Sequence, residues 1–150
     1  MSNLPSGTVT FLFTDIERST PLWQDHPDTM QSALAHHNAL IRSAIEVHNG
    51  HVVKTSGDGF MAVFPTPQQG VAAALEMQLA LQRADWSAET PIRVRIGLHT
   101  GMAEVNASDY IGHEVNRAAR IQGAAHPHQV LLSQPLYELI HHCLPLGVTL

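Results

Sequence analysis

Five side chains stand out in this 150-residue sequence as able to do chemistry by type and spacing: Asp15, Asp58, Lys54, and the Asn116/Arg120 pair. Asp15 closes an apolar run, Gly7-Thr-Val-Thr-Phe-Leu-Phe-Thr-Asp15, and Asp58 stands in the turn Ser56-Gly-Asp-Gly59. Adjacent central strands would bring the two carboxylates together. Hard oxygen donors with few His or Cys neighbours suit Mg2+ or Mn2+ and a triphosphate better than zinc. A plain tight turn is the competing reading of Gly-Asp-Gly. Lys54 is the sole lysine and sits inside an apolar strand pattern. It either snorkels to water from an edge or has a partner. Asn116 and Arg120, four apart on a predicted helix, share one face, where an amide and a guanidinium can hold an oxyanion or phosphate. A solvated helix face is the alternative.

The elements that must position these residues follow from periodicity. Gly7–Asp15 reads as a strand covered on both faces. Ser19 or Thr20 is predicted to cap a short helix with Pro21 in its first turn, and Asp28 to cap a long one ending at Asn49 before Gly50. In that helix Met30, Leu34, Ile41, Ala44 and Ile45 form the core stripe. His51–Thr55 and Phe60–Phe64 make a hairpin with Asp58 at its tip. Thr66-Pro67 opens a helix to about Ala84, with Val71, Ala74, Leu75, Leu79 and Leu81 as packing positions. Ile92–Thr100 and, after Gly101, Met102–Val105 are predicted as a second antiparallel pair. A helix from about His113 to Ala125, a strand at Val130–Ser133 and a helix at Pro135–His142 follow. Mixed hairpins and crossovers define an α+β domain with a largely antiparallel central sheet and flanking helices.

Composition bounds the rest. Hydrophobic residues make up 44% and charged residues 14%, which suits one packed domain spanning residues 1–150. The net charge of -5 argues against a broad nucleic-acid surface. Cys143 is the only cysteine, so no disulfide can form within the chain, and a buried or inert thiol is expected. The 11 histidines show no zinc spacing. Without a signal peptide or a membrane-length apolar run, the expected location is the cytoplasm.

Four stretches carry a resemblance: Phe11-Leu-Phe-Thr-Asp-Ile-Glu-Arg-Ser-Thr20, Lys54-Thr-Ser-Gly-Asp-Gly-Phe-Met-Ala-Val-Phe64, Arg95-Ile-Gly-Leu-His-Thr-Gly101 and Asp109-Tyr-Ile-Gly-His-Glu-Val-Asn-Arg-Ala-Ala-Arg120. In order and interval they closely resemble the class III adenylate/guanylate cyclase catalytic domain, from about Thr8 to the C-terminus. The resemblance implies ferredoxin-like, palm-type domains that pair head to tail as a homodimer with two shared active sites. Asp15 and Asp58 match the metal-binding aspartates, with the carbonyl of Ile16 as a further ligand, and would hold two Mg2+ or Mn2+ ions per site. Lys54 and Asp109 match the purine-reading pair in its adenine-selecting form, so the implied substrate is ATP rather than GTP. Asn116 matches the ribose-orienting residue and Arg120 the group that stabilises charge on the α-phosphate. Glu17, Arg18, Ser19 and Thr20 match the phosphate-binding loop, where relatives often carry glycine in place of Arg18.

The implied reaction is formation of 3',5'-cyclic AMP and pyrophosphate by two-metal-assisted attack of the ribose 3'-hydroxyl on the α-phosphate. The family domain continues beyond a segment like Leu144–Leu150 into closing strands that bring a further lysine to the phosphates. The expectation is therefore a domain lacking those C-terminal strands, with regulatory domains downstream in a longer chain. The alternative is a non-catalytic nucleotide-binding and dimerisation module.

Overall fold

The computed structural model describes residues 4–144. Its first strand, β1 (Gly7–Ile16), is buried on both faces as its composition predicts. Leu12 and Ile16 enter one apolar cluster, and Val9 and Phe11 enter another on the opposite side. Two helices follow, α1 (Ser19–Asp25) and α2 (Pro27–Val47). Neither is capped as predicted. Arg18 holds the N-cap position of α1 in the left-handed conformation (φ 57°, ψ 38°), without a side-chain cap from Ser19 or Thr20. His26 precedes α2, and Asp28 lies within its first turn, where a carboxylate still complements the helix dipole.

Helix α2 buries Met30, Ala33, His37, Ile41, Ala44 and Ile45, each apolar one of the larger kind contributing roughly 1.5–3 kcal/mol. His37 was not on the predicted stripe. Burial pushes its imidazole pKa down, against the opposing influence of the Asn38 hydrogen bond and the Asp58 charge.

Strands β2 (His51–Ser56) and β3 (Gly59–Phe64) form the predicted hairpin. Gly57 turns it at φ 60°, a conformation glycine adopts without steric cost. Thr66 caps α3 (Pro67–Arg83), its Oγ1 accepting from the Gln69 amide at 3.2 Å. Met77 is buried there, whereas the predicted packing residue Leu79 is 50% exposed.

The predicted hairpin around Gly101 is absent. Instead β4 runs unbroken from Val94 to Asn106 and turns back into a short hairpin partner, β5 (Asp109–Ile111). Helix α4 (His113–Ala124), strand β6 (Val130–Leu132) and helix α5 (Gln134–Ile140) complete the described chain. Cys143 is exposed, not buried. Of the segment Leu144–Leu150, beyond which the family's closing strands would follow, residues 145–150 lie outside the described residues.

The sheet order is β2-β3-β1-β4-β5, with β6 parallel to β4 and the other pairings antiparallel. Strand β3 lies between β2 and β1, and β1 between β3 and β4. These are two interleaved split βαβ units, the ferredoxin-like arrangement of an α+β domain. Helices α2 and α3 contribute to the cluster on one face; α4 and the β4–β5 arm contribute Ala118, Val115 and Tyr110 to the cluster on the other.

Candidate active site

The strand end that carries Asp15 and the hairpin turn that carries Asp58 are adjacent, as predicted. Thr14 pairs with Phe60 across β1 and β3, so the end of β1 abuts the Ser56–Gly59 turn. A side chain on Gly59 would lie 2.8 Å from the Thr14 carbonyl oxygen and 3.9 Å from Asp15 Cβ, so this approach requires a glycine. Asp58 Oδ2 is buried and has no hydrogen-bond partner. An orphaned carboxylate oxygen of this kind is costly unless a cation or water answers it.

Asp15 is answered by Arg95, opposite it in the β1/β4 register. Arg95 Nε donates to Oδ1 at 2.8 Å and a terminal nitrogen donates to Oδ2 at 2.5 Å, a bidentate pair with both side chains about 30% exposed or less. The hydrogen bond to Asp15 raises the Arg95 pKa against the opposing effect of burial, and the charges of Asp15, Glu17 and Asp58 add to the rise. This cation was not among the predicted site residues. An arginine placed to pair across the strand from an aspartate is visible only once the register is known.

The carboxylates of Asp15 and Asp58 are hard oxygen donors of the kind that suits Mg2+ or Mn2+. Among the described residues no group of three or more His, Cys, Asp or Glu forms a metal site by itself. An ion on Asp15 would share its carboxylate with Arg95, whose positive charge opposes it. In the adjoining loop the Glu17 amide donates to the Arg93 carbonyl at 2.8 Å, and Arg18 is exposed. The left-handed geometry of Arg18 is the kind that favours glycine.

Lys54 has a partner. A register shift between Val52 and Lys54 inserts one extra residue into β2, so Lys54 rather than Val53 stands opposite Met61. Met61 belongs to the cluster under the β4–β5 arm, so the bulge carries Lys54 to the face that the arm covers. There its Nζ meets Asp109 Oδ2 at 3.0 Å. The Lys54 hydrogen bond lowers the Asp109 pKa, burial opposes this, and the Tyr110 amide and the Lys54 charge assist.

Tyr110 anchors the arm. Its ring meets Phe11 edge-on at 5.4 Å, and its hydroxyl donates to the Pro5 carbonyl at 2.5 Å. Burial pushes its phenol pKa up to about 12. A concavity of about 210 Å³ is lined by residues including Asp15, Lys54, Ser56, Met61 and Gln122. A larger one of about 430 Å³, beside Leu81, Trp86 and His128, contains none of the predicted site residues.

Asn116 and Arg120 are exposed on α4, and their side chains have no hydrogen bond or ion pair with any described residue. Ala118, fully buried, faces the sheet, and residues two positions to either side project roughly 160–200° away from it. The pair is therefore directed away from its own sheet.

Residues 1–145 match the family model of the adenylate and guanylate cyclase catalytic domain, and the chain belongs to that family. An uncharacterised protein of Mycobacterium tuberculosis is 40% identical over 143 residues, covering 94% of this chain and 48% of that protein. The adenylate cyclase of Lachancea kluyveri is 36% identical over 154 residues, covering 86% of this chain and 8% of the yeast protein. The chain thus spans at most about half the length of these two relatives. An adenylate cyclase of Trypanosoma brucei, solved in its monomeric state, superposes with a TM-score of 0.83 at 34% identity, covering 91% of this chain and 78% of that one. Among the described residues no helix is long and apolar enough to cross a membrane.

Proposed function

We propose that this domain is an adenylate cyclase, converting ATP to 3',5'-cyclic AMP and pyrophosphate at active sites shared by two copies of the chain. The observation that carries the reading is the Lys54–Asp109 contact at 3.0 Å, which unites one donor and one acceptor from residues 55 positions apart. An ammonium donating to adenine N1 and a carboxylate accepting from the 6-amino group fit adenine; guanine presents the opposite polarity at both edges. Discrimination of this kind is strong because the wrong base leaves buried polar groups unpaired.

Asp15, Asp58 and the carbonyl of Ile16 would hold the two divalent ions, and the orphaned Asp58 oxygen favours that role. When bound, such ions activate the 3'-hydroxyl and neutralise charge on the triphosphate. The backbone of Glu17, Arg18, Ser19 and Thr20 borders the phosphates. Asn116 orients the ribose, and Arg120 places fixed positive charge where the α-phosphate gains negative charge.

Asn116 and Arg120 are exposed and face away from their own sheet, which supports a site completed by a second copy. Met102 and Ile111, 68% and 48% exposed on the arm strands, are apolar surface suited to such an interface. Regulatory domains elsewhere in a longer chain are in keeping with the partial coverage of its relatives.

The test is cyclic nucleotide formation by the whole chain from ATP and from GTP with Mn2+, alongside Asp58→Ala and Lys54→Glu. Product from ATP in preference to GTP is expected, abolished by Asp58→Ala and weakened by Lys54→Glu. A dimer that binds ATP and forms no product would refute the cyclase reading in favour of a non-catalytic nucleotide-binding module.

A further inference from the structure

The run Gly97-Leu-His-Thr-Gly101 has no role in the reaction as proposed, yet its three alternate residues all meet α4. In a strand, positions 97, 99 and 101 share one face. A side chain on Gly97 would overlap the Gln122 backbone nitrogen and stand 2.5 Å from its Cα; one on Gly101 would overlap Glu114 Oε2 and stand 2.7 Å from Cδ. Four strand residues span about 13 Å and eight helical residues about 12 Å. The two notches therefore seat α4 along β4 at matched intervals, running opposite to the strand.

Between them stands His99, fully buried, with both ring nitrogens engaged. Nε2 lies 2.7 Å from Glu114 Oε2, and Nδ1 lies 2.7 Å from Ser133 Oγ. Ser133 in turn caps α5 and donates its amide to the Leu98 carbonyl at 3.0 Å. With the proton on Nε2, His99 donates to the carboxylate and accepts from the serine hydroxyl, leaving no polar atom of the ring unanswered. Glu114 also lies 3.8 Å from Arg117 on the helix surface.

We propose that His99 is a positioning residue whose hydrogen bond to Glu114 sets the depth and rotation at which α4 presents Asn116 and Arg120. The glycine notches allow close approach but carry no directional bond; the buried imidazole supplies one. Glu114 lies two residues before Asn116, so a slip of the first helical turn is transmitted directly to the active pair. What that pair does rests on the cyclase reading; how α4 is held does not.

The experiment compares Glu114→Ala, Glu114→Gln and Arg117→Ala in the whole chain by amide hydrogen exchange across α4 and by kcat and KM for ATP with Mn2+. Glu114→Ala is expected to speed α4 exchange by about tenfold or more, from the loss of a charge-assisted bond. It should lower kcat at least as much while KM stays within about threefold, as expected for a contact made in the transition state. Glu114→Gln, which still accepts from Nε2, should recover most of both effects, and Arg117→Ala should change neither. Unchanged α4 exchange in Glu114→Ala overturns the proposal, as does faster exchange with unaltered kcat, or the same effects from Arg117→Ala. Faster α4 exchange in a protein whose wild type makes no cyclic nucleotide supports the clamp on α4 and sinks the cyclase reading instead.

Discussion

Two glycine-to-alanine substitutions at the α4 end of the fold should have opposite signs. In Gly97→Ala the new methyl group would stand 2.5 Å from Gln122 Cα, and the obstacle is helix backbone rather than a side chain that can swing aside. Ordinary carbon contact needs about 3.5 Å or more, so α4 must withdraw by about 1 Å. Overpacking of this kind costs roughly 1–3 kcal/mol. For a domain of this size each kcal/mol lowers Tm by about 2–4 °C, giving a fall of roughly 2–12 °C. A displacement of about 1 Å in positioned groups can also cost about a hundredfold in turnover.

Gly123, on α4 itself, has nothing within 4 Å of where a methyl group would go. Gly123→Ala should therefore stabilise by roughly 0.4–1 kcal/mol, through the unfolded chain and helix propensity. Calorimetric unfolding of both variants, with cyclic AMP production measured on each, separates the cases. Gly97→Ala with wild-type Tm and turnover would refute the close seating of α4 on β4.

Further outcomes follow from the charges and the arm. Arg95→Gln should tighten Mn2+ binding to nucleotide-free protein by roughly tenfold, since the ion no longer competes with two charge-assisted bonds on Asp15; titration calorimetry showing equal affinity would count against Asp15 as a ligand. Asp109 has a lowered pKa in the fold, so its pairing with Lys54 stabilises above the ordinary carboxylate range and is lost as pH falls through the lowered value. Lys54→Met should cost at most about 1 kcal/mol at neutral pH, because the pair is exposed, and the two proteins should converge in urea unfolding at acid pH. The Tyr110 phenol is raised from 10.0 to about 12, so its contribution holds below pH 10 and fades as pH climbs towards 12. Ultraviolet titration should show a late tyrosinate step near pH 12 that Tyr110→Phe removes; its persistence in that variant would assign the step elsewhere.

The order of strands and helices was legible because each element has its own periodicity and punctuation. Contacts made across elements were not. Gly101 reads as a turn from sequence, yet β4 passes straight through it, and the missing side chain makes room for Glu114. The caps at Ser19 or Thr20 and at Asp28 failed because Arg18 and His26 hold those positions with backbone geometry alone. Leu79 and Met77 differ by two residues on α3, enough to exchange a solvent face for a core face.

For the site, the approach of the strand end at Asp15 to the hairpin turn at Asp58 could be read from their elements. The Lys54–Asp109 pair came from the family resemblance alone, since nothing local announces the bulge that turns Lys54 towards the arm. Arg95 and His99 went unassigned because their partners, Asp15 and Glu114, are 80 and 15 residues away.

The Lys54–Asp109 pair also constrains how this domain could drift towards another base. The two residues sit on separate elements, so no single mutation changes both. Replacing Lys54 by Glu first would set two carboxylates face to face where an ion pair now measures 3.0 Å, whereas replacing Asp109 first leaves only a half-exposed lysine free to turn to water. Descendants that change specificity should therefore be found to have altered the arm before the hairpin, and the intermediate carrying the opposite order should be rare.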